Sequence, residues 1–223
     1  MAPQTKPTKR LLRIPNYSLS EELISSISHG VGALLGVVAL VLCIVRAASH
    51  HDPWAVVSGS VFGSSIIMLY AVSSIYHALK VNFAKRVLRV MDHCTIFVLI
   101  AGTYTPYTLV SLRGPIGWLL FSLIWAAGIS GIIFNAIDVE RFKIASMVNY
   151  IIMGWAIIFA FKPLSAVIGR NALVLLLCGG VAYTVGAVLY GLGAKIKYMH
   201  SIWHFFVLAG TVLHFLSIYL YVL

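Results

Sequence analysis

Seven runs of mostly apolar residues, set apart by short polar joints, restrict this chain more than any other feature. The runs cover 28–49, 54–78, 92–112, 115–136, 144–162, 170–193 and 200–222. Each is long enough, at roughly 1.5 Å of rise per helical residue, to cross a hydrocarbon core about 30 Å thick. Inside lipid every backbone N–H and C=O must be bonded within the protein, which leaves only helices or closed barrels. The alternating pattern of a membrane barrel is absent. The expected fold is therefore all-α: a seven-transmembrane helix bundle over 25–223, preceded by a basic tail over 1–24. The capping residues Ser18 or Ser20, with Glu21 and Glu22 one turn on, predict that a helix starts just before the first run.

Composition excludes the main alternatives. With 61% hydrophobic and 10% charged residues, the chain is too apolar and too sparsely charged for a soluble domain. The net charge of +10 would suit a nucleic-acid partner, but the basic residues sit in the joints, so no such partner is expected. Cys43, Cys94 and Cys178 fall on three different runs and form no CxxC pair or disulfide framework. The first apolar run is long enough to stay in the membrane as an anchor and does not read as a cleavable signal.

Lysine and arginine also give the orientation. Twelve lie in the tail and in the joints after the second, fourth and sixth runs; four (Arg46, Arg113, Lys162, Arg170) lie on the other side. The positive-inside rule then places the N-terminus in the cytoplasm and the C-terminus outside. Ser28, Gly32 and Gly36 on the first run, with Gly59 and Gly63 on the second, are small-residue ladders where two helices can approach closely.

With that topology, the polar residues at the ends of the runs converge. His29, His77, Asp92, His93, His200 and His204 all fall in one layer on the cytoplasmic side, although only Lys and Arg were used to orient the chain. His200 and His204 are one helical turn apart on one face, and His77 closes the second run. Intramembrane ionisable residues are costly and mark function or close pairing. Each also has a plain structural role open to it. His77 could bond a carbonyl, Asp92 could cap a helix, and Ser73, one turn before His77, could bond back to its own helix. His93 is about 100° round the helix from Asp92 and is left outside the ligand set, as a supporting residue with His29. His214 is roughly 15 Å further along its helix than His204, and is expected to be a buried, hydrogen-bonded histidine. His50 and His51 read as a solvated turn, and Cys94 as a small core residue.

His77, His200 and His204 make a three-nitrogen set. Three protein ligands leave one tetrahedral position for water, the arrangement of catalytic zinc sites. Zinc there would polarise a carbonyl and acidify that water, while Asp92 would orient or deprotonate it and Ser73 steady a ligand or an oxyanion.

These motifs resemble the progestin and adipoQ receptor family, and the bacterial hemolysin III-type proteins most of all. The resemblance rests on Ser73-x3-His77, Met91-Asp92-His93, His200-x3-His204, Glu21-Glu22 before Ser28-His29-Gly30, and the stretch Ala101-Gly102-Thr103-Tyr104-Thr105-Pro106-Tyr107. It covers residues 17 to 223. It implies seven helices with the N-terminus inside and zinc on the residues matching His77, His200 and His204. It also implies a water held by the match to Asp92, with Ser73 near the metal. In the eukaryotic receptors this site goes with ceramidase-type amide hydrolysis, and bacterial members are linked to membrane lipid and energy homeostasis. The chain starts without the long N-terminal domain of the animal receptors, so hormone binding is not implied. The expected function is that of a zinc-dependent hydrolase acting on a membrane lipid. A membrane sensor with a structural zinc, or a hemolysin-type lytic protein, are the other readings.

Overall fold

The computed structural model describes residues 14–193 and 195–223, and all regular structure among them is helical. The chain runs α1 (Leu19–Ser49), α2 (Pro53–Ala78), α3 (Phe83–Pro106), α4 (Pro115–Asp138), α5 (Lys143–Trp155), α6 (Phe161–Leu192) and α7 (Met199–Tyr221). A π-helical turn over Tyr107–Ser111 ends α3, and a 3-10 segment over Ala156–Ala160 links α5 to α6. Among the described residues, six stretches are long and apolar enough to cross a membrane, with 143–192 forming one of them. Apolar side chains such as Leu34, Val38, Val41 and Val45 of α1 point outward, as lipid contact requires.

Local chemistry sets the helix starts. Ser18 caps α1 in a capping box: the Glu21 amide donates to the Ser18 hydroxyl, and the Ser18 amide donates to the Glu21 carboxylate. Asp52 caps α2 ahead of Pro53. Asn82 caps α3 by accepting from the Lys85 amide at 2.8 Å. Two of these starts lie outside the expected runs. Helix α1 begins nine residues before position 28, inside what reads as tail, and α3 begins nine residues before Asp92. Asp92 is therefore deep within its helix, and the capping role open to it belongs to Asn82. The four basic residues of the tail lie outside the described residues.

Most of the basic joint between the second and third runs, 79–91, is thus the first turns of α3. Two of its cations are turned inward. Lys85 is buried with its Nζ 2.5 Å from Glu22 Oε1 of α1, and Arg89 is buried and paired with Glu140 after α4.

Helices α1 and α2 pack along their glycines. A Cβ on Gly63 would stand 2.6 Å from the Leu40 Cα, and one on Gly32 would stand 2.8 Å from the Tyr70 ring. The Gly63 contact is with backbone, which cannot swing aside. Gly63→Ala should lower stability by about 1–3 kcal/mol, read as a lower melting temperature in detergent. A melting curve matching wild type would refute this close seam.

Stretch 143–192 folds back on itself. Trp155 Nε1 donates to Thr184 Oγ1 at 3.0 Å, while a straight helix would separate residues 29 apart by about 44 Å. The two lie symmetrically about Gly169, whose φ of 76° and ψ of 172° break the helix at a single residue. Such a backbone is open to glycine and strained for other residues. The expected polar joint over 163–169 is otherwise helical.

Candidate metal centre

Two helices bring the three histidines together. His77 lies in the last turn of α2, and His200 and His204 lie in the first two turns of α7. The Nε2 atoms of His200 and His77 are 3.4 Å apart, and those of His204 and His200 are 3.3 Å apart. One ligand atom from each lies within 4.8 Å of the other two. A tetrahedral ion with metal–nitrogen bonds of roughly 2.0–2.1 Å sets its nitrogen ligands about 3.3–3.4 Å apart. Two of the three nitrogen pairs therefore match the edge of a metal tetrahedron, and the three imidazoles could hold a metal ion.

The surroundings favour that use. All three histidines are buried, at 0–5% exposure, where ordinary solvation of an imidazole is lost. His77 Nδ1 lies 2.6 Å from Glu22 Oε2. A carboxylate only accepts, so Nδ1 carries the ring proton and Nε2 presents a lone pair to the other two histidines. The Ser73 hydroxyl, one turn earlier, is buried and has no hydrogen-bond partner among the described residues, so the helix back-bond open to it is not made. A buried hydroxyl without a protein partner, one turn from His77, suits a bound water or ligand atom.

Aromatic rings close the cluster. Tyr17 stacks on His200 with 4.6 Å between ring centroids, and Trp203 meets His204 edge-on at 5.0 Å. Burial, reinforced by Tyr76 and Tyr190 nearby, pushes the Tyr17 hydroxyl well above the usual phenol range. The start of α1 is stitched to the start of α7. Tyr198 N donates to Glu21 Oε1 at 2.8 Å, Ser201 Oγ donates to the Glu21 carbonyl at 3.2 Å, and the Ser25 and Ser201 hydroxyls are 3.2 Å apart.

The remaining polar residues take distinct places. Asp92 is buried and lies outside the compact three-histidine set, with Oδ2 3.9 Å from His93 Nδ1. It and His29 line one end of an apolar cavity of about 100 Å³ that runs between α3, α5, α6 and α7 toward His214. A water occupies roughly 10–15 Å³ on that measure, so the space suits a short length of alkyl chain. His29 lies against His204, ring centroids 3.8 Å apart, and so sits between the cavity and the cluster. His93 faces elsewhere: Nδ1 donates to the Arg89 carbonyl at 2.9 Å, and Nε2 lies 3.2 Å from the Tyr190 hydroxyl. His214 Nε2 donates to the Leu176 carbonyl at 3.0 Å, and the Cys94 thiol faces the Ile132 carbonyl at 3.7 Å.

Glu22, quoted in the family resemblance but read only as a helix-start acid, and Tyr17 are the members of the site to which the sequence assigned no role there. A first-turn acid has an ordinary explanation at a helix start, which hides a second role. One signal was available: Glu22 and His29 are seven residues apart, hence on one face of α1, and His29 already belonged to the converging layer.

Residues 17–215 match the family described as haemolysin-III related, a span that holds every residue of the cluster. The chain belongs to that family. Among haemolysin-III relatives, it is 42% identical to "Hemolysin-3" of Bacillus cereus over 97% of this chain and 98% of that one. It is 40% identical to "Hemolysin-3 homolog" of Bacillus subtilis (strain 168) over 92% and 96%. A more distant relative is the human "Monocyte to macrophage differentiation factor", 28% identical over 86% and 84% of the two chains. No solved structure matches the chain. The motif resemblance to the progestin and adipoQ receptor family agrees with this membership, and the chain is a multi-pass membrane protein.

Proposed function

We propose that this haemolysin-III-related protein is a zinc hydrolase that cleaves an amide bond of a membrane lipid. The observation that carries the proposal is an apolar cavity lined by a buried carboxylate, Asp92, and by His29 and Trp203, the two rings that also pack on His204 of the three-histidine cluster. His77, His200 and His204 would hold the ion, which when bound supplies Lewis-acid polarisation of the scissile carbonyl. The cavity walls, among them Leu99, Ile100, Ile151 and Val207, take the acyl chain and exclude bulk water. Asp92 takes the proton from the attacking water and returns it to the leaving amine. Ser73 donates its unpaired hydroxyl to the developing oxyanion. The test is release of free fatty acid from a ceramide-type amide by purified, zinc-loaded protein in lipid vesicles. Absence of release across amides of differing chain length and headgroup would overturn the hydrolase.

A second reading has its own support. Tyr17, Trp203 and His29 pack against the histidines, which limits the room for a substrate at the ion, and a structural ion needs no such room. On that reading the metal pins α7 to α2 in a membrane sensor, and the vesicle assay yields no product.

The proposal includes seven crossings with the N-terminus in the cytoplasm. The fold-back at Gly169 supports counting α5 and the later part of α6 separately, and the distribution of Lys and Arg supports the orientation. A reporter fused after Leu223 should read as outside the cytoplasm. A cytoplasmic signal would mean an even number of crossings.

A further inference from the structure

We infer that Glu22 is a positioning residue for the metal, holding His77 in the tautomer and orientation that make it a ligand, with Lys85 as the cation that keeps Glu22 in place. The inference rests on the proposed metal site and deepens it. Glu22 reaches across from α1 and uses both carboxylate oxygens: Oε2 is 2.6 Å from His77 Nδ1 on α2, and Oε1 is 2.5 Å from Lys85 Nζ on α3. The ammonium also donates to the Leu79 carbonyl at 2.9 Å and lies 5.1 Å from the centre of the Tyr76 ring. Lys85 is 2% exposed, so its charge is answered inside the protein. This carboxylate fixes where the proton sits on His77. Without it, the Nδ1 proton has no acceptor among the described contacts of His77, and the tautomer that places the proton on Nε2 points a donor at the other two histidines. Lys85 makes the arrangement directional, because its pull on Oε1 leaves Oε2 facing the ring.

A merely structural tie between α1, α2 and α3 would use the same contacts, and the test separates the two. Zinc affinity is measured by chelator competition, and the cobalt-substituted visible spectrum is recorded, on full-length protein in detergent for wild type, Glu22→Gln, Lys85→Met and the double variant. Glu22→Gln should weaken zinc about 10–100-fold, as is typical when the carboxylate behind a ligand histidine is lost, and should shift the cobalt bands. It also strands a buried ammonium, so it should melt lower than wild type. The double variant removes that stranded charge: its melting temperature should recover while its affinity stays low. Recovery of affinity along with stability would overturn the inference, as would Glu22→Gln affinity within twofold of wild type. Should Glu22→Gln fail to accumulate, Glu22→Asp keeps the charge for Lys85 but shortens the reach to Nδ1, and the same loss of affinity is expected of it. Wild type that binds no zinc would instead refute the metal site itself.

Discussion

His200→Ala or His204→Ala protein should reach the membrane at normal levels but come out of purification nearly free of zinc. Each substitution removes one of three ligands, so the loss should exceed the roughly 10–100-fold expected for losing a partner behind a ligand. His214→Ala is the matched control. That histidine is on the same helix and also buried, but its Nε2 is committed to the Leu176 carbonyl. It should keep stoichiometric zinc while losing some stability, since the carbonyl loses its donor. Metal content by elemental analysis, beside melting curves, reads both effects. Equal zinc loss in all three variants would point to general loosening of α7, and full zinc in His204→Ala would remove that residue from the ligand set.

Asp92→Asn should leave the protein folded and metal-bound yet nearly inactive on a lipid amide. Asparagine is almost isosteric and keeps an acceptor oxygen, and the cap of α3 belongs to Asn82, so the helix start is untouched. The carboxylate lies outside the compact histidine set, which is why metal should survive. What disappears is the basicity needed for proton transfer, a contribution of ~10²–10⁴-fold in rate. Fatty-acid release and zinc content are measured on the same preparation. Zinc lost together with activity would make Asp92 a fourth ligand, and activity kept with zinc would leave the proton transfer to another group.

The cluster was legible in the sequence because its evidence is short-range or topological. An i,i+4 histidine pair fixes a shared helix face, and the distribution of Lys and Arg then places His77 and Asp92 in the same layer. The start of α1 was legible for the same reason, since a capping box is written within four residues. The start of α3 was not. Lys85 and Arg89 look like solvated joint residues until their partners are known, and those partners, Glu22 and Glu140, are 63 and 51 residues away. Glu22 was hidden by the adequacy of its local role. The fold-back at Gly169 was blurred because one glycine does the work expected of a polar joint.

The stitching of α1 to α7 through Glu21, Ser25, Tyr198 and Ser201 has a consequence for biosynthesis. A ribosome makes α1 first and α7 last, and two of the three clustered imidazoles come from that final helix. Throughout translation Glu22 and His77 are in place with no His200 or His204 to meet them. On the proposed metal reading, the three-histidine set is complete only once α7 has been made, so the ion should be captured by the finished protein rather than by the growing chain.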